Sequence, residues 1–233
     1  MNDITKRFSW VAVYSIAMAL LEAVVVVYIR GLLQITNDHV ALGPYVTMEM
    51  WREAATIVML AAIGWLAGRQ RIERWAYGLF AFGVWDIFYY VWLKVLVDWP
   101  ASLLAWDVLF LIPLRWWGPI LSPMLIAFLI CVVAVLAIVR LELGERLGVT
   151  LGRVGTAILG GLLALYVFMS DALHALLSGQ TDWDMLRPGP FKWPLFLIAL
   201  ALIALPSLVA TWPTRTTRSQ TAFSEVPLVN EGD

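Results

Sequence analysis

Residues 75–97 read WAYGLFAFGVWDIFYYVWLKVLV, a run in which Asp86 and Lys94 are the only charged residues. A spanning helix needs roughly 20 predominantly apolar residues, so this stretch can cross a bilayer by itself, and it carries a carboxylate near its middle. Further stretches reach the same length: Ser9–Tyr28, Thr47–Ala67, Gly118–Val139, Val154–Leu177 and Trp193–Thr211. The chain as a whole agrees, with 61% of its 233 residues hydrophobic, 14% charged and a mean hydropathy of +0.81. Those values lie outside the range of soluble globular domains. The fold class that follows is all-α, a polytopic membrane helix bundle of six transmembrane helices.

A seventh apolar run, Ala101–Leu114, is too short to span. Pro100 suits a first helical turn and Pro113 a helix end, so the expectation is one short re-entrant or interfacial helix on the outer side. The count of spans is arbitrated by the positive-inside rule. With six spans Lys6, Arg7, Arg69, Arg71, Arg74, Arg140, Arg146, Arg153, Arg215 and Arg218 lie inside, ten against the six of Arg30, Arg52, Lys94, Arg115, Arg187 and Lys192. With seven spans the sixteen divide eight and eight. The reading is a six-helix transmembrane domain over residues 1–212 and a polar cytoplasmic tail over 213–233, both termini inside, in a bacterial cytoplasmic (inner) membrane.

The apolar run after Lys6 and Arg7 continues through Val27, past a small-residue pattern at Ala17-Met18-Ala19, and is read as an uncleaved first helix. Trp51, Trp99, Trp116, Trp117, Trp183, Trp193 and Trp212 fall where an interfacial aromatic belt belongs. A formal charge of −1 without any Lys/Arg-rich block sets aside nucleic acid as a partner. Cys131 is the only cysteine, so no cysteine-based metal or haem motif exists.

Intramembrane ionisable groups are costly and mark function by default. Glu22, Glu53, Asp86 and Asp171 each sit inside a separate spanning stretch. At a rise of about 1.5 Å per residue, Glu22, Glu53 and Asp171 lie roughly 9 Å beneath the outer boundary and Asp86 a few ångströms deeper. Helices 1, 3 and 5 run outward while helix 2 runs inward, so a shared depth is not imposed by chain order. Helical spacing adds neighbours: Glu49 at i−4 from Glu53 with Arg52 beside them, Tyr90 and then Lys94 outward of Asp86, and His174 at i+3 from Asp171. Asp107, in the short apolar run, approaches the group if that run dips into the membrane.

Structural roles compete with these readings. Glu53 can pair with Arg52 or Arg30 and simply join helices, Lys94 can snorkel to the interface, and Asp171 and His174 can be satisfied by each other or by backbone groups. His39, Asp182 and Asp184 fall in polar loops, where solvated side chains are expected. Asp86 has no basic residue within one turn and needs a partner helix, water or ion, or else a proton, as a neutral carboxyl hydrogen-bonded to Tyr89, Tyr90 or a backbone carbonyl.

Trp85-Asp86-Ile87-Phe88-Tyr89-Tyr90 is echoed by Trp106-Asp107-Val108-Leu109-Phe110-Leu111-Ile112-Pro113 and followed by Trp117-Gly118-Pro119. In these segments the chain resembles uncharacterised bacterial multi-pass membrane proteins, over roughly residues 50–125. The resemblance implies a membrane fold and supplies no activity, cofactor or catalytic residue.

Chemistry offers three expectations. The first is a divalent metal site of Glu22, Glu53, Asp86, Asp107, Asp171 and His174, with Glu49, Arg52, Tyr90 and Lys94 along a substrate or proton path. Carboxylates with one imidazole suit Mn, Fe or Zn, and an all-oxygen subset suits Mg or Ca; such a metal could activate water or oxygen in a membrane enzyme. The second is a proton- or cation-coupled transporter using Asp86 and Glu53. The third is a non-catalytic subunit whose charges pair with other membrane subunits or a second copy.

Overall fold

The computed structural model describes residues 3–32, 45–179 and 188–212. His39, Trp183, Asp182, Asp184, Arg187 and the polar tail from residue 213 lie outside these segments. Six helices occupy the six apolar stretches: α1 Asp3–Leu32, α2 Val46–Ala67, α3 Arg71–Val97, α4 Leu121–Glu142, α5 Leu151–Leu177 and α6 Trp193–Thr211. Each is long and apolar enough to cross a membrane. The chain is a multi-pass membrane helix bundle. Large side chains such as Val58, Leu66, Leu159 and Leu205 point outward without protein cover, a surface that lipid tails accept and water penalises.

Local chemistry sets several helix ends. The Thr150 side chain caps α5 by accepting the Arg153 N–H at 3.3 Å, and a proline stands in the first turn of α6. Asp98 ends α3 at φ 53°, a left-handed conformation that Asp tolerates better than most residues. Lys94 pairs with the Asp98 carboxylate at 2.7 Å and donates to the Pro100 carbonyl at 3.1 Å. The Lys94 ammonium, by its hydrogen bond to the exposed Asp98 carboxyl and then by its charge, holds that carboxyl below its ordinary range.

The short run Ala101–Leu114 is not helical, which corrects the expectation of a seventh, interfacial helix. Trp106–Phe110 forms strand β1, paired antiparallel with β2, Trp116–Pro119. Trp106 faces Pro119, Asp107 faces Gly118, Val108 faces Trp117 and Phe110 faces Trp116, with a bulge between Val108 and Phe110. Pro113 interrupts any helix here, while the Trp, Val and Phe residues on either side favour a pleated pairing. Because the hairpin does not span, α3 and α4 begin and end at opposite levels as neighbours, and six spans remain among the described residues.

Helix α3 is central, packing on α1, α2 and α4, while α5 packs on α6 and touches β2. Close approach needs small residues. A Cβ at Gly83 would lie 2.6 Å from Cys131 Sγ and 2.7 Å from the Ala127 carbonyl of α4, and one at Gly160 would lie 2.8 Å from the Ala199 carbonyl of α6. At the end carrying residue 3, Arg7 pairs with Asp3 at 3.2 Å, Glu73 at 3.6 Å and Glu142, tying α1 to α3 and α4. The other end, where α1, α3 and α5 finish and the hairpin sits, holds the remaining buried charges.

Candidate functional site

Each of three helices presents a stripe at helical spacing to one cavity beneath the hairpin: Glu22, Val26, Ile29 and Arg30 from α1; Glu49, Arg52 and Glu53 from α2; Trp85, Asp86, Tyr89 and Tyr90 from α3. Residues 107–111 of the hairpin close it. The cavity measures about 90 Å³, room for a few waters or a ligand of a few heavy atoms.

Its charges are arranged in pairs. On one side the Arg52 guanidinium donates to Glu49 at 2.7 and 2.8 Å and pairs with Glu22. Glu22 also accepts the Thr56 hydroxyl at 3.1 Å. On the other side Arg30 meets Asp107 at 3.2 Å, and the Tyr90 hydroxyl donates to the second Asp107 oxygen at 3.4 Å. The Arg30 guanidinium lies over the Trp99 ring, 4.1 Å from its centroid, a cation–π contact that orients it. Among the described residues no guanidinium lies at bonding distance from Glu53; its two oxygens accept the Leu111 backbone N–H at 3.1 and 2.9 Å. Asp86, 7% exposed, makes no hydrogen bond or ion pair with the described residues.

On the hairpin, outside the helices, burial pushes the Asp107 carboxyl up to about 6, with Arg30, the Val108 N–H and the Tyr90 hydroxyl pulling the other way. In all, five carboxylates (Glu22, Glu49, Glu53, Asp86 and Asp107) face two guanidinium groups around one space. Such an excess of negative groups away from water attracts protons or a cation.

The sequence-derived candidates divide. Glu22, Glu53, Asp86 and Asp107 come together, with Glu49, Arg52 and Tyr90. Asp171 and His174 do not line this cavity: Asp171 accepts the Gly189 N–H at 3.0 Å, and His174 is exposed near the end of α5. The physical reason is that α5 packs on α6 and not against the central helix α3. Lys94 serves the end of α3, outside the cavity lining. Among the described residues no three His, Cys, Asp or Glu side chains form a group that could hold a metal ion.

Sequence reasoning missed the Leu111 N–H and the roles of Arg30, Thr56 and Trp99. Arg30 was accessible, since it lies eight residues after Glu22 and so on the same helical face. Trp99 and Trp116, expected in an interfacial belt, are instead half-buried, Trp99 under Arg30 and Trp116 stacked 6.0 Å from Phe168. Trp51, in the second turn of α2, and Trp212, at the end of α6, are each 74% exposed. No protein-family model matches the chain, and no curated protein or solved structure matches it either.

Proposed function

We propose that this chain is a cation-binding protein of the bacterial cytoplasmic membrane, with both termini inside and its binding site the cavity under the hairpin, on the outer side. The observation that carries the reading is the imbalance of five carboxylates against two guanidinium groups around one cavity of about 90 Å³. Arg30 and Arg52 each serve carboxylates already, so Asp86 is left without a countercharge among the described residues. A buried carboxylate in that position is relieved by a proton, a metal ion or an organic cation. A metal version of this reading loses Asp171 and His174, which stand elsewhere, and among the described residues no three of the remaining carboxylates converge on a metal position.

Orientation rests on the basic residues: of the described ones, Lys6, Arg7, Arg69, Arg71, Arg74, Arg140, Arg146 and Arg153 stand toward the end carrying residue 3, against Arg30, Arg52, Lys94, Arg115 and Lys192 toward the hairpin. Two measurements test the proposal. Equilibrium binding of a panel of inorganic and organic cations to nanodisc-embedded full-length protein should show saturable binding that Asp86→Asn weakens at least tenfold; wild type that binds no cation would remove the reading. Single cysteines placed at Asp98 and Arg146, in a Cys131→Ser background, should react with an impermeant thiol reagent from the periplasm only at residue 98.

A further inference from the structure

We infer that the cation taken by this cavity is a small organic ammonium, held by Asp86 against an aromatic wall, and not a metal ion. The inference rests on the cation-binding reading above and names its ligand class. Four of the five carboxylates are already engaged: Glu22 and Glu49 by Arg52, Asp107 by Arg30 and Tyr90, and Glu53 by the Leu111 N–H. Asp86, 7% exposed on the cavity wall, is the carboxylate without a partner among the described residues.

A divalent metal needs several converging oxygen or nitrogen ligands at 2.0–2.6 Å. No three such side chains converge here among the described residues, and recruiting Asp107, Glu22 or Glu49 means detaching Arg30 or Arg52 from its carboxylate, which strands a buried charge. An ammonium needs one carboxylate, and Asp86 is free to supply it. The rest of the wall suits such a ligand. Trp85 precedes Asp86, Tyr89 and Tyr90 follow one turn later on the same face, and Phe110 closes the space from the hairpin, its ring 6.2 Å from that of Trp85. Electron-rich rings around one anion are how proteins bind ammonium groups, since the ring faces stabilise the positive carbon-bound hydrogens that no carboxylate reaches.

The experiment is calorimetric titration of full-length protein in nanodiscs with methylammonium and tetramethylammonium chloride, beside Mn²⁺, Zn²⁺ and Mg²⁺, for wild type, Asp86→Asn and Trp85→Leu. Saturable ammonium binding is expected in wild type, weakened at least tenfold in Asp86→Asn and about threefold or more in Trp85→Leu. Ammonium binding that survives Asp86→Asn undiminished overturns the assignment. Metal binding that requires Asp86, with no ammonium binding, overturns the ammonium class and leaves the cation site standing. Failure of both ligand classes on wild type that elutes as one species with helical circular dichroism overturns both readings.

Discussion

Glu53 on α2 receives the backbone N–H of Leu111 on the hairpin with both carboxylate oxygens, at 2.9 and 3.1 Å, across 58 residues of sequence. A side chain from a spanning helix thereby fastens the element that covers the cavity. Truncation in Glu53→Ala leaves a buried amide without an acceptor, which costs about 1–3 kcal/mol, whereas Glu53→Gln keeps one acceptor oxygen. Hydrogen exchange read by mass spectrometry should show faster exchange over residues 106–119 in the alanine variant, with the helices unchanged and the glutamine variant intermediate. Uniform acceleration across all helices would mean that Glu53 supports the bundle generally and not the hairpin.

Arg52 is shared between Glu49 on its own helix and Glu22 on α1. Removing one partner of a buried ion pair strands the other, at a cost of about 3–5 kcal/mol. Arg52→Gln is therefore expected to lower the thermal midpoint in detergent more than Glu22→Gln does. The double variant Arg52→Gln/Glu22→Gln should recover part of the loss, because one stranded carboxylate has become neutral. An additive double variant would show that the two side chains are not energetically coupled.

Much of this architecture was legible in the sequence, because lipid imposes length and polarity on every span. Trp75–Val97 lies within α3, and Trp193–Thr211 coincides with α6. Depth along each helix was legible too, which is why Glu22, Glu53 and Asp86 were grouped. Lateral placement was not: Asp171 shares their expected depth, but depth carries no information on which helices touch, and α5 lies with α6. The hairpin was missed because Ala101–Leu114 is short and apolar apart from Ser102 and Asp107, and a short apolar run does not distinguish helix from buried strand by periodicity. The partner of Glu53 was invisible for a different reason, since it is a backbone N–H with no signature in residue type.

Asp107 gives the site a pH dependence whose sign follows from its burial. Its carboxyl, about 6 in the fold against an ordinary 3.8, binds its proton more tightly folded than unfolded. Between these values the folded state carries more protons, so stability falls as pH rises from about 4 to 6 and then levels. The full effect is on the order of 3 kcal/mol. Arg30 and Tyr90 contact this carboxylate and Asp86 shares its cavity. Thermal midpoints of wild type minus Asp107→Asn, measured from pH 4 to 7.5, should isolate this slope. A difference curve that is flat across the window would show that Asp107 ionises as an ordinary surface carboxylate.

The separation of Asp171 and His174 from the cavity predicts a division between variants of one chemical kind. Asp86→Asn and Asp171→Asn each neutralise one carboxylate of a spanning helix, yet Asp86 lines the cavity and Asp171 accepts the Gly189 N–H ahead of α6. Cation binding should fall at least tenfold in the first, and should stay within about twofold of wild type in Asp171→Asn and in His174→Ala. The asparagine oxygen can still accept from Gly189, so Asp171→Asn should also keep its thermal midpoint within a few degrees, a loss well under the 1–3 kcal/mol of an unsatisfied donor. Equal loss of binding in the Asp86 and Asp171 variants would instead join α5 to the site and restore the ligand set expected from depth alone.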